Sequence, residues 1–457
     1  MILTMMVCLC TPLIFYIGPM QLTPYRLLLL LAFLPMVAAL LTGRAGRLVL
    51  PDLLMVVYAC WAAGALLAVD GLQRLEFSGM FIVETLGAYL FARVYVSDRE
   101  SFVYFARVLF GAVAFLLPIA LVEATTNVMI LNRLADIVGG TIADINQERR
   151  LGLERVQGPF NHSILFGVFC SSAFALAYYP LREDVRNMFA GVWRLVLVAV
   201  AVFLSLSTGA YLAVVLQGAL IGWDQMLQGW RRRWLLLGGL VAGFYGFVSL
   251  ASNRTPVEVF ITYFTFNAGN AWNRIHIWNY ASADVARHWL FGIGQRGDWE
   301  RPHWMPSSVD HFWLATALRH GLVAILLLIS AYLALLVMVG RAPLADRRDQ
   351  LLRRSVMMTI IGVSLALCTV HVWGATYILF LMLLGSGCWL IANPDVPMLE
   401  RAGAKGLRRS RPGPATFARS DAVGGLSSPR RSATGSSLSG AAGRDDAVRG
   451  EAGPSAV

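Results

Sequence analysis

Apolar runs separated by short polar connections fill the chain from residue 2 to residue 392. Runs long enough to cross ~30 Å of hydrocarbon fall near 2–20, 25–42, 50–69, 77–96, 102–124 and 161–180. Six more fall near 192–206, 208–223, 234–251, 311–340, 355–372 and 375–392. They predict an all-α, polytopic integral membrane protein of about twelve transmembrane helices. The run at 311–340 exceeds one span and predicts a bent or protruding helix. Tight junctions at 207–209 and 373–375 predict hairpins that barely leave the bilayer. The first run lacks a basic leader and continues into further apolar segments, so it reads as a membrane helix and not as a cleaved signal peptide.

Arginine sets the orientation. Counted from a cytoplasmic N-terminus, the even connections carry Arg44 and Arg47; Arg93 and Arg99; Arg182, Arg186 and Arg194; Arg231, Arg232 and Arg233; and Arg341, Arg347, Arg348, Arg353 and Arg354. The short odd connections carry almost none. This alternation predicts that both termini are cytoplasmic. Two odd loops, about 125–160 and 252–310, are long enough to be translocated despite their charge. Residues 1–392 thus form a transmembrane domain. Residues 393–457, rich in Gly, Ser, Ala, Pro and Arg, read as a disordered basic cytoplasmic tail. The absence of a clear internal repeat counts against transporter folds built from paired halves.

Composition agrees with the pattern and removes other classes. Only 14% of residues are charged and the mean hydropathy is +0.62, far from a soluble domain. The net charge of +11 is carried almost wholly by Arg, with Lys405 the one lysine. Those Arg residues are scattered between apolar runs and not grouped on one polar domain, which counts against a nucleic-acid-binding role. The six cysteines all sit inside apolar runs, as small hydrophobes and not as a disulfide or metal set. There is no Gly-rich phosphate loop with a Lys, no His-Glu-x-x-His and no acidic metal cluster. No cofactor is implied, and any phosphate chemistry leans on Arg alone.

The candidate chemistry lies in the long loops. Residues 271–289 predict a helix with Ile275, Trp278 and Ser282 on one side and Arg274 one turn from Trp278. It reads either as an interfacial helix anchored by Trp or as a support presenting Arg274 to a lipid-linked phosphate. Arg suits the second task because its planar fork donates two hydrogen bonds and stays charged. Further on, Trp299 and Trp304 flank Asp298, Glu300, Arg301 and His303. Aromatic planes beside hydrogen-bonding groups make Trp299, Glu300, Arg301, His303 and Trp304 a candidate glycan surface; an ordinary interfacial Trp belt is the alternative. Asp310 and His311 stand where the loop re-enters the membrane, and either could take a proton from a hydroxyl. In the first loop, Arg155 precedes a Gly-Pro turn and a helix starting near Asn161, a plausible anion site. Glu84 is a carboxylate within a span and needs a partner, for which Arg93 and Arg107 are the candidates.

Several of these motifs, in this order, resemble the O-antigen ligase / O-antigen polymerase superfamily. They are Arg155-x-x-Gly158-x-Phe160, the hairpin Ser205-Leu-Ser-Thr-Gly-Ala210, Arg274-x-x-x-Trp278, Phe291-Gly-Ile-Gly294, and Asp310-His-Phe-Trp-Leu with Gly321-Leu322. The resemblance covers roughly residues 50–392. It implies metal-independent, inverting glycosyl transfer at the periplasmic face of the bacterial inner membrane, in O-antigen, lipopolysaccharide or exopolysaccharide synthesis. The donor would be an undecaprenyl-diphosphate-linked oligosaccharide, and the acceptor a glycan or lipid-linked glycan, with membrane lipid and other polysaccharide-assembly proteins as partners. Arg155 and Arg274 would hold the diphosphate, and Asp310 or His311 would orient or deprotonate the acceptor. Two departures stand out. Thr208 occupies the hairpin position that often holds Arg, and Asp310 stands where the family has His, which points to a polymerase branch more than to a lipid A-core ligase. A polysaccharide flippase using Glu84, and a scaffold in an assembly complex, are the competing expectations.

Overall fold

The computed structural model describes residues 1–18, 20–140, 147, 149–182, 191–253, 259, 268–295 and 298–392. The expected tail at 393–457, and residues 254–258 and 260–267 of the second long loop, lie outside the described residues.

The chain is helical and membrane-embedded. Its elements are α1 (Ile2–Leu9), a two-stranded antiparallel hairpin of β1 (Phe15–Ile17) and β2 (Met20–Leu22), α2 (Pro24–Leu41), α3 (Leu50–Asp70), α4 (Leu75–Tyr95) and α5 (Arg99–Thr126). Then come α6 (Ile130–Val138), α7 (Ser163–Ser172), α8 (Phe174–Tyr178), α9 (Val192–Leu204), α10 (Thr208–Met226) and α11 (Arg233–Ala251). The last are α12 (Ala268–Arg287), α13 (Phe312–Arg341), α14 (Arg347–Leu367), α15 (Gly374–Ser386) and α16 (Trp389–Ala392). Among the described residues, eight helices are long and apolar enough to cross a membrane, and Ser163–Tyr178 and Val192–Leu204 are shorter apolar segments. α3 packs along α13, α4 along α15 and α2, and α10 along α14. α15 is buried from residue 376 to 386, at the centre of the bundle.

The first apolar run is not one continuous span. Pro12 disfavours helical geometry at Thr11, so α1 stops after 8 residues, roughly 12 Å of rise, and the chain turns into the β-hairpin.

Helix ends sort onto two faces. On one, Arg99 pairs with Asp346 and Asp349, and Arg348 donates to the carbonyls of Tyr179, Pro180 and Arg182. Buried Asp224 is bridged by Arg233 and Arg354 at 2.8 and 3.1 Å, and Arg47 donates to the Ile391 carbonyl. These contacts join the even, Arg-rich connections to one another. The described parts of the two long loops and the 207–209 and 373–375 junctions meet at the opposite face.

Glu84 is neutralised by neither expected partner. It pairs with Arg26 of α2 at 2.6 Å, because α2 and α4 pack side by side. Arg93 lies further along the same helix, roughly 13 Å of rise away and near the Arg-rich face, where it pairs with Asp52 at 3.1 Å and donates to the Arg47 carbonyl. Arg107 is exposed.

α13 breaks at Gly321 (φ 85, ψ 168). In an unbroken helix the Leu318 carbonyl would bond to the Leu322 N–H. Here Leu318 accepts instead from Ile293 N–H at 2.8 Å, and Leu322 donates to the Trp289 carbonyl at 2.6 Å. The backbone of 289–294 fills the break and gives the Leu318 and Arg319 carbonyls and the Leu322 N–H new partners.

Candidate functional site

The first long loop is held from two sides. Buried Glu123 on α5 accepts from the backbone N–H groups of Gln157 and Gly158. Val156 N–H donates to Leu204 O at 3.1 Å, and Arg150 Nη1 donates to Leu206 O at 3.0 Å. Arg150 and Arg155 are thereby anchored beside the α9–α10 hairpin. Gly158 makes the turn at φ 55, with its α-carbon facing the Phe166 ring; a Cβ there would lie 3.1 Å from that ring. His162 then caps α7, its Nδ1 accepting from Ile164 N–H at 3.1 Å.

The second long loop arrives from the other side. α12 packs against α13, burying Ile277, Ala281, Asp284 and Val285. This face is rotated from the expected Ile275, Trp278 and Ser282 stripe, and Trp278 stays exposed. Arg274 begins the buried stripe, three residues before Ile277. His311 caps α13 as His162 caps α7, with Nδ1 accepting from Leu314 N–H at 3.1 Å. Its ring lies 5.4 Å from that of Trp278. A chain of rings, His162–Trp373–His371–Phe312, with centroids 5.8–6.4 Å apart, ties the two loops together through the α14–α15 turn.

The charges of the two loops act on one another. Arg274 is partly buried, which lowers its pKa; Asp310 opposes that effect and Arg150 adds to it. Asp310 is reached by solvent, yet crowding by protein raises its carboxyl pKa, against the pull of Arg274 and of a Ser308 hydrogen bond. Burial holds His311 down to about 4, with Arg274 adding to the effect. Burial, then Arg155 and Arg150, hold His162 at about 4. Arg274 thus faces the Asp310 carboxylate and the neutral His311, while Arg150 and Arg155 face the neutral His162. A neutral imidazole whose Nδ1 accepts carries its proton on Nε2, so both histidines present N–H donors.

Of the sequence candidates, Arg274, Asp310 and His311 are therefore brought together, and Arg155 is linked to them only indirectly, through His162 and Arg150. The five candidate glycan residues divide. Trp299 is buried, donates from Nε1 to Ser307 O at 2.9 Å, and packs under the Arg301 guanidinium. Arg301 pairs with Asp298, and Glu300 with Arg287. His303 is exposed, and Trp304 is exposed with its ring against His276 of α12. Sequence reading missed Arg150, Glu123 and the cap role of His162. Arg150 stood in plain view beside Arg149, but nothing in the sequence pairs it with the hairpin backbone.

A cavity of about 280 Å³ adjoins this neighbourhood. Pro159, Asn161, Phe312, His371 and Trp373 line it on the loop side, and Arg26, Glu84 and Arg319 on the helix side. Among the described residues no three His, Cys, Asp or Glu side chains gather to hold a metal ion. No family model matches this chain, and no curated protein matches it.

Proposed function

We propose that the protein is a membrane glycosyltransferase that takes a glycan from undecaprenyl diphosphate and polymerises or ligates surface polysaccharide, O-antigen or exopolysaccharide. The observation that carries this reading is the closeness of Arg274 to Asp310, with Arg150 acting on both Arg274 and His162 and Arg155 acting on His162, on the face opposite the Arg-rich helix ends. By the positive-inside rule the Arg-rich face is cytoplasmic. The reaction crevice is then periplasmic, the chain crosses the inner membrane about twelve times, and both termini and the basic tail are cytoplasmic.

In this reading Arg155 and Arg274, joined by Arg150, clamp the diphosphate. Asp310 accepts the proton of the acceptor hydroxyl, for which its raised pKa suits it. The hydroxyl oxygen forms the new bond to the anomeric carbon, and the bond to the diphosphate oxygen breaks with its electron pair leaving on the phosphate. The arginines stabilise that charge as it develops. A single displacement inverts the anomeric centre. His311 donates from Nε2 because its Nδ1 is engaged as a helix cap, which favours Asp310 over His311 as the base. Trp304 and His303, exposed near α12, are the candidates for contacting the glycan chain. The flippase reading has one observation of its own, the Arg26–Glu84 pair lining a cavity between membrane helices.

The deciding test is Arg274→Ala in cells, with membrane insertion checked by blotting. Loss of polymer, with lipid-linked repeat units accumulating on the periplasmic face, is the expected result. Normal chain length would sink the enzymatic reading, and accumulation on the cytoplasmic face would favour a flippase.

A further inference from the structure

The proposed reaction leaves Arg319 without a task. It stands just before the Gly321 break of α13 and lines the cavity beside the crevice. Among the described residues, one of its five N–H donors is used, Nη1 donating to Gln295 Oε1 at 2.7 Å. Among the described residues no carboxylate pairs with it. Arg26, the other guanidinium lining the cavity, has Glu84 at 2.6 Å. The charged groups lining the cavity, Arg26, Glu84 and Arg319, therefore sum to one positive charge. His371 adds a buried Nδ1 that finds no hydrogen-bond partner among the described residues. A partly buried cation without a counter-ion is costly, and these groups are complete only when an anion sits among them.

The rest of the lining says which anion. Tyr25, Tyr58, Phe312, Trp373 and Tyr377 present rings, while Asn161 and Thr316 present hydrogen-bonding groups. Rings beside amide and hydroxyl groups suit a sugar, whose C–H faces pack on aromatic planes and whose hydroxyls need partners. One net positive charge matches a single carboxylate; a diphosphate matches the three arginines of the crevice. Phe312 directly follows Asp310 and His311, and Asn161 follows Arg155 by six positions, so a sugar in the cavity lies next to the reacting groups.

We infer that this cavity is a subsite for an acidic sugar of the uronic-acid class, its carboxylate held by Arg319 and its ring by the aromatic lining. The inference rests on the glycan-transfer reading and narrows its substrate to an acidic polysaccharide.

The test is direct binding of sodium glucuronate, with glucose as the uncharged counterpart, to the full-length protein in lipid nanodiscs, read by calorimetry. Glucuronate is expected to bind about tenfold more tightly than glucose. Arg319→Gln should erase that preference and leave glucose binding as it was. Arg319→Lys, which keeps the charge and loses the fork, should retain part of the preference and guards against misfolding of the Gln variant. Arg274→Ala should leave glucuronate binding intact, so failure of the transfer reading is seen separately as unaltered polymer in cells. Equal binding of the two sugars, or a preference that survives Arg319→Gln, overturns the inference. So does inorganic phosphate displacing glucuronate at lower concentration, which would make the cavity a phosphate site.

Discussion

Glu123 of α5 accepts hydrogen bonds from Gln157 N–H at 2.7 Å and from Gly158 N–H at 3.1 Å, clamping the turn that follows Arg155. Glu123 and Gln157 are both buried. Glu123→Ala leaves two backbone donors without this acceptor, at about 1–3 kcal/mol each. Thermal unfolding in detergent should shift down, and glycan transfer should fall further than the remaining folded fraction accounts for. Glu123→Gln keeps one acceptor oxygen and should fall between. An Ala variant with unaltered melting and rate would remove the clamp from the account.

Asp310 and His311 are adjacent but do different work, and substitution separates them. Asp310→Asn removes the proposed proton acceptor and should cost about 10²-fold or more in transfer, with donor binding retained. His311→Asn replaces a ring cap by a side chain that also caps helices well, and should keep most of the rate. The reverse order of severity would make His311 the base.

Acidification should unfold the protein through the same two caps. His162 and His311 have folded pKa values of about 4, below the ordinary 6.5. Between those values the unfolded chain binds protons that the folded chain refuses, so stability rises with pH across the window and is lost as pH falls from 6.5 towards 4. Melting temperature against pH should show this slope, and the double variant His162→Asn, His311→Asn should make it shallower, with His371, also held at about 4 by burial, contributing to what remains. An unchanged slope in that variant would place the sensitive groups elsewhere.

Much of this architecture was legible in the chain. Long apolar runs read well as helices because the bilayer imposes a length rule on every span independently. The motifs around Arg155, Arg274 and Asp310 were legible as residue types, and the fold places Arg274 beside Asp310, with Arg155 beside His162. What was not legible depends on which helices are neighbours. Glu84 was matched to Arg93 on its own helix and to Arg107 on the next, while Arg26 lies 58 positions away on the helix that packs beside it. The capping use of the Nδ1 atoms of His162 and His311 decides their proton roles, yet it exists only once the backbone is placed. The cavity around Arg319 is formed by residues from the hairpin, α1, α2, α3, α4, α7, α13, α15 and several connections, and no local pattern announces such a gathering. Composition misled in one place: residues 2–20 are apolar enough for a span, but Pro12 stops the helix.

The break in α13 supplies the last prediction. Gly321 holds φ 85, and a Cβ there would lie 2.1 Å from the Leu290 carbonyl oxygen. Alanine therefore meets both a backbone conformation it rarely adopts, worth about 1–3 kcal/mol, and a clash with main chain that cannot step aside. The variant should straighten α13 and restore the Leu318–Leu322 bond. It should also expel 289–294, releasing Gln295, whose N–H now donates to Asp70 at 2.8 Å and whose side chain accepts from Arg319. Gly340→Ala is the control on the same helix, since its Cβ would meet only the Met357 side-chain terminus at 3.4 Å. Gly321→Ala should lower the melting temperature sharply and expose 289–295 to proteolysis, while Gly340→Ala stays close to the parent. Equal behaviour of the two would mean that the break is not what holds the second loop against the bundle.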